Sequence, residues 1–353
     1  MRRALISCAL LIGCSASTSP IDSGASDLAV DGAISKDAAR DRFVDQRHAD
    51  SMSCVPSSVF TRAVGDLKDL VKRSAVLGRG AGYSPPNAAR LQSLDRALRG
   101  LLDCTLDSQV ELKASESSLS LLTQPDGREF WLLSTKLAPS GLQIVVLNPR
   151  AKRQMLIEAP HPRSDLETEL QAAELFLRLD ARALLISGAH RCASVDASPC
   201  SGTTTVCSAS GSAPYRKSDA AHAVDTLFHR AHKTLSDTEL KLTVLAMHGF
   251  GHRVGMPELI ISDGTSAVAP ATARINRLAA LLRAKKVGVG NCNEANGYGS
   301  LCGTQDVQGR HLNRSTAACS AAAPSASGRF LHIEQSLSRR RDSADLIDVL
   351  SKL

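Results

Sequence analysis

The chain has 353 residues, 43% of them hydrophobic and 22% charged, so most of it can bury a core and wholesale disorder is excluded. Aromatic residues make up only 3%, too few for the base-stacking platforms of single-stranded nucleic-acid binders. The formal charge of +7 is spread along the chain rather than gathered in a patch, so no nucleic-acid partner is expected.

The N-terminus reads as an address. Arg2 and Arg3 precede a ten-residue apolar run, Ala4 to Gly13. This run is far short of the roughly 20 residues that span a bilayer. It ends in Leu11-Ile12-Gly13-Cys14, which resembles the lipobox of bacterial lipoproteins. The resemblance implies a signal peptide over residues 1–13, a lipid on Cys14 and attachment by that lipid to a membrane of the bacterial cell envelope. Residues 14–52 are small and polar without apolar periodicity, which predicts a flexible tether. Residues 53–353 are expected to form a single α/β domain, helical over 53–109 and carrying sheet and site over 110–353. Setting aside Cys8 and Cys14, eight of the ten cysteines remain, an even number that favours disulfides in an exported chain. Eight cysteines allow 105 pairings, so no connectivity is assigned; local spacing favours a bridge within the stretch Cys192–Cys207 and one within Cys292–Cys302, and the absence of any CxxC pair argues against a cysteine-ligated metal.

Apolar spacing predicts helices over 59–75 and 87–102, separated by a loop rich in glycine and proline. Period-2 patterning then predicts strands at 110–114, 129–134 and 142–147, with Asp126-Gly127 as a hairpin turn, together an antiparallel meander. Beyond it strands and helices alternate: strand 154–159, helix 166–179, strand 183–187, helix 218–235, strand 242–247, helix 271–285, strand 330–334 and helix 342–353. Residues 286–328 read as a long loop pinned by a disulfide. The fold class expected is α/β: three layers, with helices on both faces of a mixed sheet that is antiparallel at its start and mostly parallel later.

Four predicted strands end in polar residues. MLIEAP leads to His161, ALLISGA to His190 and Arg191, TVLAM to His248, and the last strand contains His332 and Glu334. Open α/β sheets bind ligands outside the carboxyl ends of their strands, so these segments point to one site. His161 and Asp165, with His248 as a distant third, supply two imidazoles and a carboxylate, a set that suits one zinc ion per chain and leaves a coordination position for water. Glu169 and Glu167 are alternative acids, and His222 is an alternative ligand. Asp219, three residues before His222, caps a helix or orients a catalytic histidine. Arg191, with His190 beside it, suits a substrate carboxylate. Glu334 is placed to act as general base, or else is an ion-paired acid. His229 and His232 read as solvent-side helix residues, and Arg339 to Arg341 as a solvated basic turn.

The order His161, Asp165, Arg191, Asp219, His248, Glu334 resembles the zinc-dependent amidohydrolases and carboxypeptidases of phosphorylase/hydrolase-like fold, with N-formylglutamate amidohydrolase nearest in layout. The resemblance covers residues 110–345. It implies hydrolysis of an amide or peptide bond beside a carboxylate in a small molecule or peptide. In that scheme the water is metal-activated, Glu334 is base and then acid, and Arg191 reads the carboxylate. Two departures stand out: the acid follows His161 as HxxxD rather than HxxE, and Ser-Asp-Ala-Ala-His replaces a DxNR-like string. No GxSxG elbow and no GxGxxG after the first strand are present, which disfavours a serine hydrolase and a dinucleotide binder. A surface lipoprotein that binds an anionic ligand without catalysis, or a degenerate hydrolase fold, remains the alternative.

Overall fold

The structure is a computed structural model, described for residues 55–251 and 253–353. The signal segment, Cys14 and the tether lie outside the described residues.

In chain order the strands are β1 (Thr61–Val64), β2 (Ser117–Thr123), β3 (Glu129–Thr135), β4 (Ile144–Leu147), β5 (Arg153–Ala159), β6 (Ala181–Ile186), β7 (Thr203–Thr204), β8 (Ala213–Pro214), β9 (Thr243–Gly249), β10 (Leu259–Ser262), β11 (Val289–Asn291) and β12 (Phe330–Gln335). The helices are α1 (Leu67–Arg73), α2 (Ala88–Leu102), α3 (Val110–Ala114), α4 (Thr168–Leu179), α5 (Leu227–Thr238), α6 (Arg274–Ala284), α7 (Val307–Leu312), α8 (Leu337–Arg341) and α9 (Ala344–Leu350). Ten strands form one sheet in the order β1-β2-β3-β4-β6-β5-β9-β12-β10-β11, while β7 and β8 make a separate ribbon. From β2 through β3 and β4 to β6 the pairings are antiparallel; from β6 through β5 and β9 to β12 they are parallel. The fold is thus α/β with a mixed sheet, antiparallel first and mostly parallel afterwards.

The chain leaves β5 to one side, through α4 to β6, then crosses to the other side, through α5 to β9. Right-handed crossovers that run in opposite directions along a sheet put their helices on opposite faces. Accordingly Ala172, Leu175 and Phe176 of α4 pack with Ile157, Leu245 and Ile333 on one face. Leu227, Phe228 and Ala231 of α5 pack with Leu156, Val244 and Phe330 on the other. The reversal of direction at β5 makes the carboxyl ends of β6, β5 and β9 the topological switch point, the place where doubly wound sheets hold their ligands.

Local signals account for several elements. Asn87 caps α2 by accepting from the Arg90 N–H, and Thr226 caps α5 by accepting from the His229 N–H. Gly188, just after β6, lies so close to Leu142 that an added Cβ would sit 2.0 Å from the Leu142 carbonyl oxygen. Only glycine lets the chain pass there and deliver His190 and Arg191.

Several expectations are corrected. Residues 59–75 are not one helix: β1 adds to the edge of the sheet as a partner of β2, and Asp66 then caps the short α1. Residues 110–114 are the helix α3, and the true hairpin partner of β3 is β2, whose Ser-rich pattern hid its buried leucines. The helix expected from Ser218 begins at Leu227, because residues 218–226 form hydrogen-bonded turns around Asp219. Residues 286–328 include β11 and α7. His229 and His232 are buried rather than solvent-side, and His232 Nδ1 lies 2.8 Å from the buried Glu158 Oε1. In the basic turn Arg340 is buried, Arg339 pairs with Glu258 and Asp345, and Arg341 pairs with Glu167.

The Cys192–Cys207 and Cys292–Cys302 bridges are present, and Cys200–Cys319 is a third. Cys104 is disulfide-bonded as well. Among the described residues no helix is long and apolar enough to cross a membrane.

Candidate metal centre

The HPRSD segment after β5 explains how His161 meets Asp165. The Asp165 N–H donates to the His161 carbonyl at 2.9 Å, and Arg163 (φ 64) and Glu167 (φ 70) turn the backbone through the left-handed region. This single tight turn brings the Asp165 carboxylate back onto its own histidine, with His161 Nδ1 3.1 Å from Asp165 Oδ2. The acid four residues on therefore faces the imidazole without a helix between them.

From there a row of alternating imidazoles and carboxylates runs across the carboxyl edge of the sheet. His161 Nε2 lies 2.7 Å from Asp219 Oδ1, and the same oxygen is 2.9 Å from His222 Nδ1. On the other side Asp165 Oδ2 accepts from the Gly249 N–H at 3.2 Å and lies 3.5 Å from His248 Nδ1. His248 Nε2 in turn faces Asp306 Oδ2 at 3.5 Å. The His161 and His248 rings are 4.9 Å apart at their centroids, and His248 and His332 are 4.5 Å apart. Glu334 pairs in register with His248 across the β12–β9 ladder.

Within this row three sets of three side chains each bring ligand atoms within 4.8 Å of one another: His161, Asp165 and His248; His161, Asp219 and His222; and His248, Asp306 and His332. The donors fit a metal ion. A neutral imidazole has one N–H, yet both nitrogens of His161 face carboxylate oxygens, so one contact calls for a second positive centre, a proton or a cation. The charges agree. Burial alone would pull the His248 imidazolium down, but Asp165, Asp306 and Glu334 together raise it to about 10. Burial pushes the Asp165 carboxyl up, yet His161, His248 and Arg191 outweigh it and hold it well below the usual carboxylate range. Asp306 opposes the same burial and is drawn down to about 2 by His248 and His332. A buried site with this excess of carboxylate favours a cation.

Arg191 lies within the row, its Nε 3.0 Å and its Nη2 2.8 Å from Asp219 Oδ2, and its Nη1 3.9 Å from Asp165 Oδ1. Burial would push Asp219 up, but Arg191, His222 and His161 hold it far below its ordinary value. His222 stacks on Tyr215 at 3.6 Å between ring centroids, and burial lowers its basicity more than Asp219 restores it. His190 accepts from the Cys192 N–H through Nδ1, and burial together with Arg79 and Arg191 lowers its basicity. Glu169 stands apart, buried and 3.4 Å from Arg163, its carboxyl pushed up by burial. The row opens toward solvent at His222, Arg191 and Glu334, whose side chains keep 13%, 11% and 11% of their exposure.

Asp306 escaped the sequence reading because it lies in the stretch read as a loop. Its one local signal is its position before α7, where Oδ1 accepts from the Gln308 and Gly309 N–H groups as an N-cap.

The chain matches no protein-family model and no curated protein. Among solved structures it is similar to a protein from Shewanella denitrificans OS-217 provisionally named a carboxypeptidase A. The identity is 12% and the TM-score 0.28, over 76% of this chain and 68% of that one. A superposition of that quality carries no argument about function.

Proposed function

We propose that this chain is a metal-dependent hydrolase that cleaves an amide or peptide bond, exported and lipid-anchored through Cys14. The observation that supports it most is the meeting of His161, Asp165 and His248 within 4.8 Å, buried, with Glu334 paired in register beside His248. Zinc bound there would supply Lewis acidity and bring the pKa of water from 15.7 to about 7. The protein's own residues divide the remaining work. Asp219 holds the His161 ring through Nε2, which fixes its orientation and leaves Nδ1, on the Asp165 side, for the ion. Glu334 has a buried Oε2 with no hydrogen-bond partner, suited to take a proton from the attacking water and return it to the leaving amine. Arg191 and His190 flank the mouth on the β6 side and are the groups that a carboxylate beside the scissile bond would meet. Three disulfides among the described residues support an oxidising compartment, in keeping with export to the cell envelope.

The test is zinc content of the purified chain, with and without His161→Ala and Asp165→Asn, beside turnover of N-acyl amino acids and short peptides. Loss of one zinc equivalent in His161→Ala and in Asp165→Asn, together with turnover of at least one of these substrates by the wild type, supports the reading. Zinc uptake indifferent to both substitutions, or no hydrolysis by the loaded protein, overturns it. For the anchor, Cys14→Ser should release the protein from the membrane fraction.

A further inference from the structure

We propose a second cation position on the other side of His248, formed by His248 Nε2, Asp306 Oδ2 and His332, and taking a borderline divalent ion such as zinc. It rests on the hydrolase reading only in sharing His248, which offers Nδ1 to the His161 and Asp165 set and Nε2 to this one.

Four atoms carry the inference. His248 Nε2, Asp306 Oδ2 and both ring nitrogens of His332 are buried without a hydrogen-bond partner; His248 Nε2 and Asp306 Oδ2 face each other at 3.5 Å, and His332 Nε2 lies 3.7 Å from Glu334 Oε1. Their residues are 3%, 1% and 3% exposed, so solvent does not satisfy them. Buried polar atoms without a hydrogen bond are costly, and native structures rarely gather several in one place without a reason. The three side chains come from separate parts of the chain: His248 from β9, His332 from β12, and Asp306 from the turn before α7.

The surroundings also look built for them. Asp306 commits Oδ1 to the N-terminus of α7, which fixes the carboxylate with Oδ2 toward His248. Gly303 lies against His332 so closely that an added Cβ would sit 2.5 Å from its ring Cγ and Nδ1. Across the ladder His332 is in register with Ala246, two residues before the Glu334 and His248 pair and on the same face. Two imidazoles and a carboxylate are the donor set of zinc and its neighbours rather than of magnesium or calcium. With both positions filled, His248 would serve one cation through each nitrogen, and both of its ring protons would pass to solvent.

The experiment is a zinc titration of the metal-free chain, read by equivalents bound per chain and repeated with cobalt(II), whose visible bands report each site as it fills. The expected result is about two equivalents for the wild type and about one for Asp306→Asn and for His332→Gln, with His161→Ala also at about one. Cobalt bands that fill in two steps in the wild type and in one step in Asp306→Asn give the same result without relying on the fold of His332→Gln. One equivalent in the wild type, unchanged in Asp306→Asn and His332→Gln and lost in His161→Ala, overturns the second position and leaves the hydrolase reading standing. One equivalent lost in Asp306→Asn and kept in His161→Ala supports this position and overturns the metal set of the hydrolase reading. No binding at all overturns both.

Discussion

Glu334 stands opposite His248 in the parallel ladder between β12 and β9. Residues in register on adjacent parallel strands point to the same face, with backbones about 4.8 Å apart. A carboxylate in that position is close enough to move a proton at a cation held by His248. Glu334→Gln keeps the shape and removes the base. The expected outcome is unchanged zinc content with turnover lowered by about 10²- to 10⁴-fold. An active Glu334→Gln enzyme would assign the base elsewhere.

Cation binding should release protons. Because His248 stays protonated up to about pH 10 in the metal-free chain, zinc must displace that proton at neutral pH. For the first cation, which displaces one proton, affinity should therefore rise tenfold per pH unit and level off near pH 10. Calorimetric titration at pH 7.5 in buffers of different ionisation heat measures the protons directly. A heat that does not depend on the buffer would contradict the assignment.

Asp219 joins Arg191, His161 and His222 and is fully buried. Its folded pKa is depressed below the ordinary 3.8, so the unfolded chain binds the proton more readily. The stability that Asp219 supplies is complete above about pH 4 and is lost as the pH falls below it. Asp219→Asn should cost about 3–5 kcal/mol at pH 7 by removing the closest counter-charge of the buried Arg191 and leaving only Asp165 at 3.9 Å, while flattening the loss of stability between pH 4 and pH 2. Urea midpoints across that range read both effects. An unchanged acid slope in the variant would remove Asp219 as its source.

Gly188→Ala tests how tightly β6 delivers the site. The added methyl meets the Leu142 carbonyl, so either backbone or strand end must move. Overpacking of this kind costs about 1–3 kcal/mol or more. Both the melting temperature and the zinc affinity should fall, since the segment that must shift leads directly to Arg191. A variant as stable as the wild type would show that the strand end yields freely.

The disulfides should differ in weight. Cys200–Cys319 closes a separation of 119 residues and Cys292–Cys302 one of only 10. On loop entropy alone the first is worth about 5 kcal/mol and the second about 3 kcal/mol. Paired serine substitutions followed by urea unfolding compare them. Equal losses would mean that the denatured chain is already constrained.

Hydrophobic periodicity by itself determined the α/β class and the order of its main elements, because helix and strand burial repeat every few residues and need no distant partner. The same local logic marked the strand ends that carry His161, Arg191, His248 and Glu334. It failed where the local pattern was ambiguous: five residues of alternating VELKA suit an edge strand and a short helix alike, and Leu112 is buried in the helix. Only the tertiary structure decided which strands are neighbours. That order turned a list of polar strand ends into one row, set Arg191 against Asp219, joined Cys200 to Cys319 and brought Asp306 to His248 across 58 residues of sequence. Such pairings arise from sheet order and loop closure, which leave no spacing in the chain from which they can be read.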